Sequence, residues 1–426
     1  MKLGKLRHFM LFLLLLGSTV TQAAFVLLPM EVDVQQNHLK AYGITYWALN
    51  KDYKVSWLLN YRGGSFLLPD APEIRKECQI RGVTFEVLSD GATDAILNEI
   101  SAPSQNMETV VLEKAPKIAV YTPKGKQPWD DAVTMVLSYA EIPYTEIYDE
   151  EVLSDQLLLY DWLHLHHEDF TGQYGKFFGN YRSTPWYIQQ KAEAEALAKK
   201  LGYAKVSQEK LAVAKKIRDF VIGGGFMFAM CSATDSFDIA LSAEGVDICE
   251  PMFDGDDSDA NYQANIDYTA TFAFKNYKLE RQPIVYEFSD IDTTDEHGKG
   301  SFTMEKDYFT LMDYSAKWDP IPTMLCQNHT QLIKGFMGQT TAFDADKIKS
   351  NVLVMGECKI NGEARYIHGT KGKGMFTFYG GHDPEDYQHR VGDAPTVLDL
   401  HPNSPGYRLI LNNVLFPAAR KKKLKT

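Results

Sequence analysis

Apolar runs typical of buried strands alternate with helical patterns along most of this 426-residue chain. Lys117 to Tyr121 and Phe226 to Met230 are short apolar runs, whereas the apolar residues between Asp130 and Ala140 recur every three or four positions. Strands that are joined through helices favour parallel pairing within one sheet. The sequence therefore predicts an α/β fold with a mainly parallel sheet.

The same alternation predicts two units of unequal size. A smaller N-terminal α/β unit covers residues 24–115 and ends at Ala115-Pro116, since proline disfavours helix in the residue before it. The larger α/β unit covers residues 116–419. Its pattern loosens at about 253–343, which we interpret as an insertion, and residues 420–426 form a basic tail.

The first residues are predicted to be a secretory signal peptide. A basic start precedes the apolar run Phe9 to Leu16, and small residues lead to an expected cleavage site after Ala23. No later stretch reaches the length of a transmembrane helix. We expect residues 1–23 to be removed and the chain to be exported, in a bacterium to the periplasm; a retained N-terminal anchor is the alternative.

Charge and cysteine spacing restrict the partners of this chain. The sequence has 44 Lys and Arg residues against 56 Asp and Glu residues, a formal net charge of −12. Phosphate backbones are bound by clustered cations, so no nucleic-acid partner is expected. The five cysteines are widely spaced and resemble neither a disulfide framework nor a zinc site.

The strongest local pattern leads from an apolar strand through Cys231 into a helix. Phe226 to Met230 precedes the cysteine, and Ser236 to Leu241 has a helical pattern. A side chain at a sharp strand-to-helix turn projects from the sheet, as the nucleophile of many hydrolases does. The N-terminus of the helix is expected to lower the pKa of this thiol. Cys231 is therefore the candidate nucleophile; the alternative is a small buried core residue.

A second strand pattern, Gly374 to Tyr379, leads into a loop that carries His382 and Glu385. A cysteine nucleophile requires a base, and the base requires a group that orients it. Cys231, His382 and Glu385 supply these three catalytic roles. The alternative is that His382 structures its own loop.

Three histidines and an acid lie at the end of another predicted strand. His164 and His166 share one face of it, and His167 and Glu168 follow. Ligands of parallel sheets collect at the carboxyl ends of the strands, so His166, His167, Glu168 and Ser232 are predicted to form an oxyanion or substrate edge. Zinc or iron is the alternative, but alternation along a strand does not fix the ligand geometry. The prediction is thus no metal, no cofactor and a packed, hydrogen-bonded His164.

These segments together resemble the ThuA-like branch of the class I glutamine amidotransferase-like superfamily. The resemblance covers about residues 116–419 without the insertion, and its most specific segments are GKGMFTFYGGHDPED and GGGFMFAMC. It implies a flavodoxin-like, doubly wound sheet. From the amidotransferase members it also implies glutamine-amide hydrolysis by a triad, with the nucleophile at Cys231, the base at His382 and the acid at Glu385.

The whole chain also resembles bacterial exported proteins labelled asparagine synthetase B. The segments that carry this resemblance are Ala41-Tyr42-Gly43 and Asn60 to Phe66. The chain has no S-G-G-x-D-S loop for ATP, and an exported enzyme would meet no ATP. Amide hydrolysis is therefore the activity expected to carry over, rather than ATP-dependent synthesis.

The predicted function is that of an exported amidohydrolase acting on a small amide. Two alternatives stay open. A caspase-like cysteine peptidase would pair Cys231 with His166 or His167. A non-catalytic ThuA-like module would bind carbohydrate through the aromatic residues of the insertion, which are Tyr262, Tyr268, Phe272, Phe274, Tyr277, Tyr308, Phe309, Tyr314 and Trp318.

Overall fold

The structure, a computed structural model, describes residues 25–123, 131–298, 306–388, 390 and 392–419. The predicted signal peptide and the predicted basic tail lie outside these residues. Within them the strands form one five-stranded and one nine-stranded sheet, and helices pack on both. The protein is therefore an α/β protein, as the sequence predicts.

The strands alternate with helices through much of the chain. The strands are β1 (Phe25–Leu28), β2 (Val55–Leu59), β3 (Ser65–Pro69), β4 (Glu86–Leu88), β5 (Glu108–Leu112), β6 (Ile118–Tyr121), β7 (Thr145–Ile147), β8 (Trp162–Leu165), β9 (Phe226–Met230), β10 (Tyr308–Leu311), β11 (Leu332–Lys334), β12 (Leu353–Glu357), β13 (Ala364–Lys371) and β14 (Gly374–Tyr379). The α-helices are α1 (His38–Asn50), α2 (Pro72–Arg81), α3 (Asp90–Ser101), α4 (Ala132–Tyr139), α5 (Asp149–Leu153), α6 (Phe178–Tyr181), α7 (Pro185–Lys200), α8 (Val206–Gly223), α9 (Ala233–Ser242), α10 (Pro251–Asp254), α11 (Tyr262–Asn265), α12 (Thr294–Gly298), α13 (Pro320–Leu325) and α14 (Pro405–Leu415).

The larger sheet is half parallel and half antiparallel. Its order is β11-β10-β12-β13-β14-β9-β8-β6-β7, and the five strands from β14 to β7 are parallel to one another. The antiparallel half was not predicted. Only Gly372 and Lys373 separate β13 from β14, and a parallel crossover needs a dozen or more residues. The segment predicted as an insertion contributes β10 and β11 to this half.

The strands that matter most for the site follow the sequence pattern closely. The bounds of β9 and β14 coincide with the predicted runs. The helix predicted between Asp130 and Ala140 is α4, and its N-cap is Asp131, whose carboxylate accepts the N–H groups of Val133 at 2.7 Å and Thr134 at 3.0 Å. An acidic side chain at this position stabilises the first turn of a helix.

The smaller sheet packs against the larger one through helices. Its order is β4-β1-β3-β2-β5, and all neighbouring pairs are antiparallel. One hydrophobic cluster includes Tyr42 of α1, Trp57 of β2, Val136 of α4 and Leu411 of α14. The two sheets therefore share a core. Among the described residues, no helix combines the length and apolar character that crossing a membrane requires.

Gly43 of α1 lies against the C-terminal end of α4. A Cβ atom there would lie 2.0 Å from the carbonyl oxygen of Ala140. We expect Gly43→Ala to lower the free energy of unfolding by about 1–3 kcal/mol, because backbone must move to admit the methyl group. Urea denaturation measures this loss.

The control is Gly91→Ala in the first turn of α3, where an added Cβ meets nothing within 4 Å. This change is expected to be neutral or to stabilise by up to about 1 kcal/mol. Equal effects of the two substitutions would contradict the close packing of α1.

Candidate functional site

Three neighbouring parallel strands end side by side in the larger sheet. Leu165 of β8 is paired with Ala229 of β9, and Ala229 is paired with Phe378 of β14. Residues just beyond the carboxyl ends of such strands meet at one edge of the sheet. We name this group the carboxyl-edge site; its residues are His166, His167, Cys231 and His382.

Cys231 occupies a strained turn between β9 and α9. Its φ angle is +50°, a left-handed conformation that costs a non-glycine residue roughly 1–2 kcal/mol. The hydroxyl of Thr234 donates to the Cys231 carbonyl at 2.7 Å and so holds the turn. A strained strand-to-helix turn of this kind presents the nucleophile in α/β hydrolases. The sharp turn predicted from the sequence at Cys231 is confirmed.

The Cys231 sulfur is enclosed, and its side chain is 1% exposed. Burial raises the pKa of the thiol to about 11, although hydrogen bonds from the backbone of Thr340, Gln339 and Ser232 act in the opposite direction. The expectation that the helix N-terminus lowers this pKa is wrong, because desolvation outweighs it. Cys231 is therefore a neutral thiol at neutral pH.

A segment at the end of the predicted insertion connects Cys231 to the loop of His382. This bridging segment, residues 336–341, donates the Gln339 N–H to the Cys231 sulfur at 3.2 Å. Its Met337 carbonyl accepts the His382 N–H at 2.9 Å, and its Thr340 carbonyl accepts the Gly381 N–H at 2.7 Å. The bridging segment thus holds both candidate catalytic residues. Sequence patterns alone carried no signal for Gln339.

The three histidines of the site lie against one another. The ring centroids of His166 and His382 are 4.2 Å apart, those of His166 and His167 are 5.0 Å apart, and those of His167 and His382 are 5.8 Å apart. One possible ligand atom from each residue lies within 4.8 Å of the other two. His166 and His382 are buried and His167 is half-buried. The geometry suits these side chains for binding a metal ion or for moving a proton.

Behind this cluster lies a hydrogen-bonded pair of histidines with an acid. The Nδ1 atom of His164 lies 3.1 Å from the Phe228 carbonyl, and its Nε2 lies 3.3 Å from Nδ1 of His166. Asp131 Oδ1 is 3.5 Å from both imidazoles. Burial opposes ionisation of Asp131, but the two imidazoles outweigh it and hold its pKa well below the usual range. His164 is packed and hydrogen-bonded, as predicted.

Sequence reasoning missed Asp131. The available signal was an acid at the start of the helix that follows β6, since this position also lies at the carboxyl edge of the sheet.

The carboxylate of Glu385 contacts side chains other than that of His382. Its Oε2 atom accepts the Tyr387 hydroxyl at 2.7 Å and lies 3.2 Å from Nδ1 of His401. Among the described residues, none of its hydrogen bonds reaches His382. The orienting role of Glu385 stays a prediction, and in this structure the three predicted catalytic residues do not form a connected triad.

Glu168 and Ser232, which were also predicted at the oxyanion or substrate edge, form hydrogen bonds that stabilise the turn after β8. Glu168 accepts the His166 N–H at 3.0 Å, and burial raises the pKa of Glu168 to about 8. The Ser232 hydroxyl donates to the His167 carbonyl at 3.1 Å. These bonds tie the histidine turn to the Cys231 turn. An oxyanion role for these residues stays a prediction.

A cavity of about 430 Å³ lies beside the carboxyl-edge site. His167 and Glu168 belong to its lining together with Trp186 and Lys210, whereas Cys231 is not among the described residues that line it. The ammonium of Lys210 lies 2.6 Å from Asp149, so it forms a buried ion pair. The cavity therefore meets the site on the side of His167.

The aromatic residues of the predicted insertion mainly form core. Of the nine, only Trp318 is exposed, at 84%, and the others are buried or half-buried. All five cysteines, each of which the structure describes, are free thiols. Neither the exposed tryptophan nor these thiols add to the carboxyl-edge site, apart from Cys231.

Comparisons with known proteins do not assign this chain to a family, so its class is defined by its own fold and site. No family model matches the chain, and no curated protein matches it. A solved structure described as cytoplasmic protein STM3548 from Salmonella typhimurium shares 11% identity at a TM-score of 0.34, covering 72% of this chain and all of that one. Cytoplasmic protein STM1381 from Salmonella typhimurium LT2 shares 13% identity at a TM-score of 0.35, covering 71% of this chain and all of that one. The chain is an α/β protein with a thiol and a histidine cluster at the carboxyl ends of parallel strands.

The strained turn at Cys231 has a measurable consequence. Replacing alanine by glycine normally costs about 0.5–1 kcal/mol, but at a left-handed position glycine is the more stable residue by roughly 1 kcal/mol. We expect Cys231→Gly to be more stable than Cys231→Ala in urea denaturation. The matched pair at the buried Cys358, whose φ is not positive, should show the opposite order. Cys231→Ala as the more stable variant would contradict the turn.

The buried acid beside Cys231 makes stability depend on pH. Asp235 accepts the Thr340 hydroxyl at 3.2 Å, and burial raises the pKa of Asp235 to about 7. The folded protein therefore keeps a proton that the unfolded chain releases near pH 4. As the pH rises from about 4 to 7, we expect the wild type to lose stability relative to Asp235→Asn, by up to about 1.4 kcal/mol per pH unit.

Urea denaturation at several pH values measures this difference, which should stay constant above pH 7. The control, Asp33→Asn, removes an exposed carboxylate and should leave the pH dependence unchanged. Parallel curves for the wild type and Asp235→Asn would show that Asp235 is ionised throughout this range.

Proposed function

We propose that this protein is an exported hydrolase of small amides in which Cys231 is the nucleophile. The observation that carries the proposal is the left-handed turn of Cys231 at the end of β9, which the Ser232 hydroxyl joins to the turn of His166 and His167. A protein keeps backbone strain of this size where the surrounding structure fixes it, often at an active site. The turn therefore supports chemistry at this sulfur, although Cys231 also belongs to the hydrophobic core, as the alternative reading expects.

The order of the parallel strands supports the fold part of the proposal. Taken in chain order, the five strands β6, β7, β8, β9 and β14 lie in the sheet as 2-1-3-4-5. This is the order of flavodoxin-like, doubly wound sheets. It agrees with the resemblance to ThuA-like members of the class I glutamine amidotransferase-like superfamily, whose fold we propose for the larger sheet and its helices.

The reaction needs a base because burial keeps the thiol protonated. We assign the proton acceptor to His382, so that the proton leaves Cys231 as its sulfur bonds to the carbonyl carbon. The carbon–nitrogen bond then breaks, and the proton leaves with ammonia. Water adds to the resulting thioester, which releases the acid and restores the thiol.

Backbone donors surround the sulfur. The Gln339 N–H reaches it at 3.2 Å, and the N–H of Ser232 belongs to the residue directly after the nucleophile. In this kind of turn, the amide after the nucleophile stabilises the oxyanion. We therefore assign both N–H groups as the hydrogen-bond donors that stabilise the oxyanion. The cavity beside His167 is the proposed route for the substrate.

The first experiment measures ammonia release from L-glutamine and L-asparagine by the exported form of the protein. We expect Cys231→Ala to abolish release and His382→Gln to lower it by about 10²–10⁴-fold, as for the loss of a general base. Cys326→Ala, at a half-buried thiol away from the site, is the control and should keep wild-type activity. Thermal melting of each variant checks that it is folded.

Ammonia release that persists in Cys231→Ala would refute the proposal, as would the absence of release from both amides. His167→Gln distinguishes the caspase-like alternative. If that substitution abolishes hydrolysis while His382→Gln does not, the base comes from the turn after β8 and the peptidase arrangement is correct.

A further inference from the structure

We propose that His166, His167 and His382 form a site for one divalent transition-metal ion, and that zinc is the ion that fits it best. This inference goes beyond the proposed hydrolase. The three residues come from two separate places in the chain, the turn after β8 and the loop after β14. Parallel pairing of β8, β9 and β14 brings them together, so the site exists only in the folded protein.

The distances are close to those of a bound ion. Potential ligand atoms of the three side chains all lie within 4.8 Å of one another. Nitrogen ligands at 2.0–2.1 Å from a tetrahedral zinc ion are about 3.4 Å apart. Binding of an ion would draw these atoms closer by up to about 1.4 Å. Three imidazoles also leave a fourth position open for water or an anion, as in catalytic zinc sites.

Hydrogen bonding behind the cluster sets the tautomer of His166. The Phe228 carbonyl can only accept, so Nδ1 of His164 carries a proton. The carboxylate of Asp131 also can only accept, and its Oδ1 atom lies 3.5 Å from Nδ1 of His166, which places a proton on this nitrogen. The lone pair of neutral His166 is therefore on Nε2. We assign this atom to the metal.

Asp131 holds His166 in position as a metal ligand. Its Oδ1 atom lies 3.5 Å from Nδ1 of His166, on the ring nitrogen opposite the one assigned to the ion. A carboxylate behind a coordinating histidine fixes the ring and raises its basicity in many metal proteins. Asp131 is itself fixed, because its carboxylate caps α4 through the N–H groups of Val133 and Thr134.

The ligand chemistry selects the class of ion. Magnesium and calcium prefer oxygen ligands, whereas imidazole suits zinc, copper, nickel and iron. The sequence predicts no metal site, because alternating histidines on one strand do not by themselves provide a complete set of metal ligands. The structure supplies the missing third ligand, His382, from a loop more than 200 residues further along the chain.

Metal binding and the proposed base role exclude each other at His382. An ion that occupies the lone pair of this imidazole prevents it from taking the thiol proton. The zinc-loaded protein should therefore be inactive as an amide hydrolase. Only this consequence rests on the proposed function, since the binding of the ion does not.

The test is isothermal titration of the chelator-treated, dialysed protein with zinc chloride. We expect one ion per chain with micromolar or tighter affinity. His166→Gln, His167→Gln and His382→Gln should each weaken binding by at least about 100-fold, and Asp131→Asn should weaken it by about 10–100-fold. His401→Gln, which changes a histidine bound to Glu385, is the matched control and should leave the affinity unchanged.

A second measurement keeps the test independent of folding and of activity. His167 is half-buried, so His167→Gln is the ligand variant least prone to misfold, and its melting curve establishes that it is folded. Wild-type affinity in folded His167→Gln overturns the site, as does the absence of zinc binding by the wild type. Loss of binding in Cys231→Ala also overturns it, because the sulfur would then be a ligand.

The visible spectrum of the cobalt-loaded protein reports the ligands directly. We expect the absorption of a low-coordinate site with nitrogen ligands and without a charge-transfer band from sulfur. A sulfur band would overturn the three-histidine assignment. Zinc binding without ammonia release would refute the hydrolase and leave the metal site standing, whereas ammonia release without zinc binding would do the reverse.

Discussion

Parallel pairing of β8, β9 and β14 is the constraint on which the site depends. Their register ends the three strands at one level, so the residues that follow them emerge at one edge. A shift of one residue in a strand would reverse the direction of every side chain on it. β9 is apolar on both faces, so its register depends on packing: Phe228 and Met230 belong to one hydrophobic cluster, and Met227 and Ala229 belong to the other. Backbone hydrogen bonds between the strands thus bring the Cys231 turn and the loops of the three histidines to one edge of the sheet.

Burial then decides which chemistry this edge can perform. It raises the pKa of the Cys231 thiol, so a preformed thiolate is disfavoured and a base must act together with the nucleophile. Asp131 stays ionised in the same buried region because His164 and His166 surround it. Such a hydrogen-bonded network fixes the rings of the histidines. Proton transfer and metal binding both require imidazole rings that are held in one orientation.

The sequence was informative where one strand carries its own pattern. The apolar runs of β9 and β14 and the glycines around them identified the strands. The strand-to-helix turn then indicated Cys231, and the need of a cysteine nucleophile for a base indicated His382. The antiparallel half of the sheet was missed, although a short connection that carries the hairpin pattern Asn361-Gly362 joins β12 to β13. The Gln339 contact joins positions 108 residues apart, and no local pattern encodes such a contact. The Glu385 partners, Tyr387 and His401, were not foreseen either, although both are near Glu385 in the sequence.

In the proposed reaction, Cys231 and His382 act on one ligand at the carboxyl edge. A crystal structure of the protein after reaction with chloroacetamide can show this, because the bound acetamide resembles a substrate amide. We expect an adduct on Cys231 whose amide lies between the sulfur and the His382 ring, roughly 3–4 Å from each, with its carbonyl oxygen facing the Ser232 N–H. An adduct that forms only at Cys326, or one that points away from His382, would contradict it.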